Sequence, residues 1–265
     1  MSHFAKIAAV IATTLVGTTA HGAIAVAPTT IETGGVSTVF RQLPRAYQSV
    51  IFPTQLGAFG AAPVTITGIQ FRLAAGATNG IVPVTDTSFP VTAITFANFG
   101  LQLSEGSAAV VTDGEILSSA TTFAANQGGT TTTVRSGPLT IDPASFPNNP
   151  AATPGAPNAF GPVISFTTPY VYTPGTTLAY SLTHSGYGVS VAQPFFATAS
   201  FANGVADAVS STAATITGNL SDFTQAPNAF TLPYIVQFVF EPIPEPTTLA
   251  LLAATGAFAI RRRRA

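Results

Sequence analysis

Hydrophobic and polar residues alternate with a period of two along the middle of the chain, and twice the phase of that alternation reverses within one stretch. Val64 and Ile66 alternate with threonines, whereas Ile69, Phe71 and Leu73 alternate in the opposite phase. A β-bulge near Thr67 and Gly68 puts all five on one face, because a single extra residue moves every later side chain across the sheet. Residues 91–103 behave alike. Ile94 and Phe96 share one phase, Phe99, Leu101 and Leu103 the other, and Asn98 stands at the switch. Two long, kinked strands are therefore predicted. Further strands are expected at Tyr47 to Phe52, Val163 to Phe166, Leu178 to Leu182, and Tyr234 to Phe240, where Val236, Phe238 and Phe240 share a face.

Breakers divide these runs. Pro143 to Pro162 holds six prolines and three asparagines, which predicts a long surface loop, or a divider between two subdomains. The one helical candidate is Val205 to Thr215, on its alanine content. Ala-Pro-Asn-Ala-Phe occurs at 156–160 and again at 226–230, a repeat better explained by shared turn chemistry than by duplication. Valine, isoleucine, threonine and phenylalanine dominate, and antiparallel strands without intervening helices suggest an all-β fold, an antiparallel β-sandwich with jelly-roll-like topology. There is no cysteine, so the domain depends on core area alone, for which about 220 residues suffice.

The two ends differ from this body. Lys6, an apolar stretch from Ile7 to Val16 and small residues from Gly17 onward read as a secretory signal peptide, too short to span a membrane comfortably. Candidate signal-peptidase sites follow Ala20, Gly22 or Ala25; Ala27 also fits, but Pro28 behind it disfavours cleavage there, and the boundary is set at 1–25 on the Ala23-Ile24-Ala25 pattern. At the other end Pro244-Glu245-Pro246 precedes fourteen mostly apolar residues, Thr247 to Ile260, then Arg261, Arg262, Arg263 and Arg264. As a helix that segment measures about 21 Å, short of a hydrocarbon core of roughly 30 Å. The arginines resist translocation and hold the tail at the cytoplasmic face. The prolines keep the preceding motif extended and uncovered.

This tail, Ile243 to Ala265, resembles the PEP-CTERM sorting signal of Gram-negative bacteria that make exopolysaccharide. The resemblance implies that a membrane-embedded exosortase recognises Pro244, Glu245 and Pro246. Leu249 to Ile260 would then form a transient transmembrane anchor, and Arg261 to Arg264 the membrane-retention block. Parts of the body, including Arg45 to Phe52, Phe96 to Ser104 and Thr167 to Leu182, are similar to a recurring type of exported PEP-CTERM protein that brings no function with it. The expected organisation is a signal peptide at 1–25, a β-sandwich ectodomain at 26–242 and the sorting signal at 243–265. The expected partners are signal peptidase, exosortase, the membrane and exopolysaccharide. The precursor would be exported and membrane-anchored, and the product would reside at the cell surface or in the extracellular matrix.

Charge narrows the functions open to the body. Four of the nine bases lie in the terminal arginine block, and residues 26–243 hold only Arg41, Arg45, Arg72 and Arg135 against nine acids. A domain so poor in cations cannot neutralise a phosphate backbone, which excludes nucleic acid as a partner. Nucleophilic catalysis needs a base beside a hydroxyl or thiol, and the body offers only His184, which reads as a structural histidine because Thr183 and Tyr187 stand where a serine-hydrolase elbow needs glycine. No metal site and no cofactor are expected. Asp113 and Glu115, the tightest acidic pair, would serve a glycosidase, but Gly114 between them reads as a hairpin turn. Tyr170, Tyr172, Tyr180 and Tyr187 are candidate glycan contacts, since flat rings stack on sugars. The expectation is thus a non-enzymatic structural or adhesive surface protein, with a tethered carbohydrate-binding module and an unrecognised glycosidase as alternatives.

Overall fold

A computed structural model describes residues 22–29, 32–36, 39–40, 43–75, 93–107, 111–112, 115–116, 123–142, 145–147, 149, 151–187, 196–199, 206–211 and 233–243. The strands are β1 (Ala23–Ala27), β2 (Glu32–Val36), β3 (Arg45–Ile51), β4 (Val64–Phe71), β5 (Ile94–Gly106), β6 (Val111–Thr112) and β7 (Glu115–Ile116). They continue with β8 (Gln127–Ile141), β9 (Ile164–Tyr172), β10 (Leu178–His184), β11 (Phe196–Ala199), β12 (Ala206–Ser211) and β13 (Val236–Pro242). Among the described residues there is no α-helix, and no helix long and apolar enough to cross a membrane. All pairings among them are antiparallel. One sheet has four strands in the order β1-β13-β4-β9, the other five in the order β12-β3-β10-β5-β8. The pairs β11-β2 and β6-β7 stand apart.

Both expected phase switches are present, and both mark bulges. Ile66 pairs with Phe240 and Gly68 with Val239, leaving Thr67 as the extra residue. Val64, Ile66, Ile69, Phe71 and Leu73 are accordingly all buried. On β5 the register slips between Phe96 and Phe99, opposite Leu139 and Gly137, and the five apolar residues Ile94 to Leu103 again all point inward. Gly137 has φ +103°, a left-handed conformation that glycine adopts without a Cβ penalty. Gly68 serves a different need: a Cβ there would sit 2.6 Å from Val163 Cγ1, so the bare backbone lets β9 approach.

The inward faces of the two sheets meet in one aromatic core. Phe40 bridges them, with its ring centroid 5.2 Å from Phe71 of the four-stranded sheet and 5.8 Å from Phe96 of the five-stranded sheet. Tyr47 packs edge-on to Tyr234 at 4.9 Å, and Tyr180 lies against Phe238. Phe59, in the short 3-10 turn after β3, closes one end against Tyr172, Phe238 and Phe240. Such rings bury large apolar areas in offset and edge geometries that their quadrupoles favour.

The structure also departs from the expected elements. Residues 206–211 form strand β12 against β3, not part of a helix; pairing with an otherwise free sheet edge outweighs the weak helical preference of two alanines. The threonine run at 130–133 and Ser136-Gly137-Pro138-Leu139 belong to the fifteen-residue β8. Pro138 is accommodated because β8 is an edge strand, as is β9, which carries Pro169. The proline-rich stretch from 143 joins β8 of one sheet to β9 of the other. Asn158 pins it by accepting from Asn149 N at 2.8 Å and donating to the carbonyls of Leu73 and Ala74. It therefore connects two sheets of a shared core and does not divide subdomains.

Candidate functional site

The chain enters and leaves its fold side by side. Strand β1 pairs with β13 from Ala23↔Phe240 to Ala27↔Val236, so the start of the first strand adjoins the end of the last. Neighbouring strands lie about 4.8 Å apart. Ala23 and Ile243 therefore stand at the same end of the sandwich. Around that end stand the turn between β9 and β10, where Tyr172 Oη donates to Thr176 O at 2.8 Å, and the 3-10 turn at 57–59, whose Phe59 packs on Tyr172 and Phe240. Ile243 N donates to Pro63 O at 3.3 Å, the last described bond before the Pro-Glu-Pro motif. Pro244, Glu245, Pro246 and Arg261 to Arg264 lie outside the described residues, as do residues 1–21 of the expected leader. Pro244 and Pro246 have no N–H to extend the ladder that ends here.

The four candidate tyrosines do not share a surface. Tyr170 and Tyr172 on β9 and Tyr180 on β10 are 7%, 1% and 0% exposed. Burial, aided by the negative charge of Glu105, pushes the Tyr170 hydroxyl up to about 12. Burial does the same for Tyr172, against the opposing bond to Thr176, and raises Tyr180 further. Tyr187 lies beyond β10 at the opposite end, half-buried with its ring 5.6 Å from Phe96. A buried ring has no free face to stack on a sugar, so the three buried tyrosines are core residues and the four do not form one glycan platform.

His184 is fully buried, 4.7 Å from the Phe96 ring, and its Nδ1 accepts from Gly186 N at 3.0 Å. Ser185 Oγ is engaged with Asn98 N and Gly186 O. A backbone amide thus takes the Nδ1 lone pair, which is then not available as a base to a neighbouring hydroxyl. Asp113 and Gly114 lie outside the described residues; the strands on either side of them, β6 and β7, pair Thr112↔Glu115, the register of a two-residue hairpin. No group of three or more potential metal ligands occurs among the described residues.

Two polar clusters carry no signal in the local sequence pattern. Glu32 and Arg72, both buried, form an ion pair at 3.7 Å. Ala75 N also donates to Glu32, and the Arg72 guanidinium lies 5.2 Å from the Phe160 ring centre. Burial raises the Glu32 carboxyl, with Ala75 and Arg72 pulling it back, and lowers Arg72. On the outer side of β3, Gln48 Nε2 donates to Phe123 O and Ser181 Oγ while its Oε1 accepts from Asn126 Nδ2 at 2.9 Å. These networks strap segments together. Nothing local distinguishes Gln48 from an exposed strand glutamine; for Glu32 and Arg72 the one available hint is the scarcity of charge in the body.

No protein-family model matches the chain, and no curated protein and no solved structure matches it.

Proposed function

We propose that this chain is an exported, exosortase-processed protein of the cell surface or exopolysaccharide matrix, with a structural or adhesive role. The observation that carries the reading is the ordered C-terminal set, Pro-Glu-Pro, short apolar segment and arginine block, following directly on the last strand of a sandwich whose first strand adjoins it. Both terminal signals then act on one end of the domain. Processing anywhere from Pro244 onward leaves β13, an internal strand of its sheet, whole. Successive strands that cross between sheets, as β3, β4 and β5 do and again β8, β9 and β10, support a jelly-roll-like arrangement. The body's side chains support a scaffold: its histidine is packed, its buried glutamine and asparagines are spent on internal bonds, and five of its six tyrosines lie in the core.

C-terminal mass spectrometry of the mature protein tests this. The expected result is loss of Arg261 to Arg264; their retention on all of the exported protein would overturn processing. The burial of Tyr170, Tyr172 and Tyr180 leaves a tethered carbohydrate-binding module without that stacking platform among the described residues, and a glycan array on the exported protein is expected to be blank.

A further inference from the structure

We propose that the leader is removed at the Gly22–Ala23 bond, so that the mature chain begins on the first residue of β1. The inference rests on the export reading and revises the boundary after Ala25. Every residue of Ala23–Ala27 is paired with β13, and Ala25 and Ala27 are 1% and 0% exposed, within the shared core. Cleavage after Ala25 would remove Ala23, Ile24 and Ala25, three of the five paired residues. It would also uncover the edge of β13 beside Phe238 and Phe240, both of them core residues. An apolar strand edge exposed in this way is a template for aggregation. Cleavage after Ala27 would delete β1 altogether.

Cleavage upstream of Ala23 keeps the strand, and side-chain size chooses among the upstream bonds. Signal peptidase requires small residues one and three places before the cut. At Gly22–Ala23 these are Gly22 and Ala20, whereas at Ala20–His21 the outer position is the larger Thr18. Gly22 lies against β13: a Cβ there would lie 2.6 Å from Val239 Cγ1 and 3.5 Å from Phe240 O. The bond between the last leader residue and the first strand residue is thus the one place where the peptidase's need for small side chains and the fold's need for an intact β1 agree.

The test is N-terminal sequencing and intact mass of the exported full-length protein. A start at Ala23 is expected. A start at His21, Val26 or Pro28 would overturn the assigned bond while leaving export standing; a chain still beginning at its leader would overturn the export reading itself. Pulse-labelled variants read the cut before folding matters: Gly22→Val should reduce processing at least tenfold, and Ala25→Val should leave the Ala23 start unchanged. Normal processing of Gly22→Val at the same bond would also overturn the proposal.

Discussion

Deleting one residue from β4 should be mild at one position and severe three residues later. Thr67 is the extra residue of the bulge, with Ile66 and Gly68 already facing consecutive partners Phe240 and Val239. Removing it leaves Val64, Ile66, Ile69, Phe71 and Leu73 in a single regular alternation, all inward. The deletion takes away the hydrogen bond that Thr67 Oγ1 donates to Val239 O at 3.3 Å, so the expected cost is about 1 kcal/mol. Deleting Gln70 shortens the strand equally but turns Phe71 and Leu73 outward and Arg72 inward. Exposing two core side chains costs about 3–6 kcal/mol, and the bond from Gln70 Nε2 to Gly161 O goes as well. That approaches the whole stability of a typical domain, roughly 5–15 kcal/mol. Urea unfolding followed by far-UV circular dichroism separates the two, since midpoint shifts at constant slope report stability. Equal losses in the two deletions would refute the assignment of Thr67 as the bulged residue.

Other consequences follow from the buried groups. Arg72→Met strands the buried Glu32 carboxylate and should cost about 3–5 kcal/mol at pH 7. Because burial already raises that carboxyl, the deficit should shrink as pH falls and Glu32 takes a proton; a deficit that persists in acid would contradict the pairing. Tyr172→Ala should lower stability by about 3–5 kcal/mol, and Tyr172→Phe, which removes only the bond to Thr176, by about 1 kcal/mol. If Tyr172→Ala left the unfolding midpoint in place, the ring would not be a core residue. Tyr170 and Tyr172 are raised from 10.0 to about 12. The stability they contribute is fully present below pH 10 and lost as pH rises toward 12. Tyrosinate absorbance should therefore emerge together with loss of structure, and ionisation of all the tyrosines near pH 10 in folded protein would contradict their burial.

Period-two alternation is a local property, so the strands around Thr67 and Asn98, their bulges and the inward set of β4, β5 and β13 are legible in the sequence. So is the change of composition at the two ends from which the proposed function is read. Whether a tyrosine edges a core or faces solvent depends instead on which distant strand covers it: Tyr172 is covered by Phe59, Tyr180 by Tyr47 and Phe238. The same holds for Gln48, which would sit on an exposed face but for Phe123 and Asn126, and for residues 206–211, which are extended because β3 offers an edge. Even the proposed leader boundary rests on a partner more than 200 residues away in sequence, since Ala25 reads as a cleavage residue alone and as a core residue beside Phe238. Reading along the chain tells which residues alternate and where its character changes. Which faces are covered, and that the two ends meet, emerges when the sheets assemble, because burial and strand pairing are contacts between segments that no local pattern encodes.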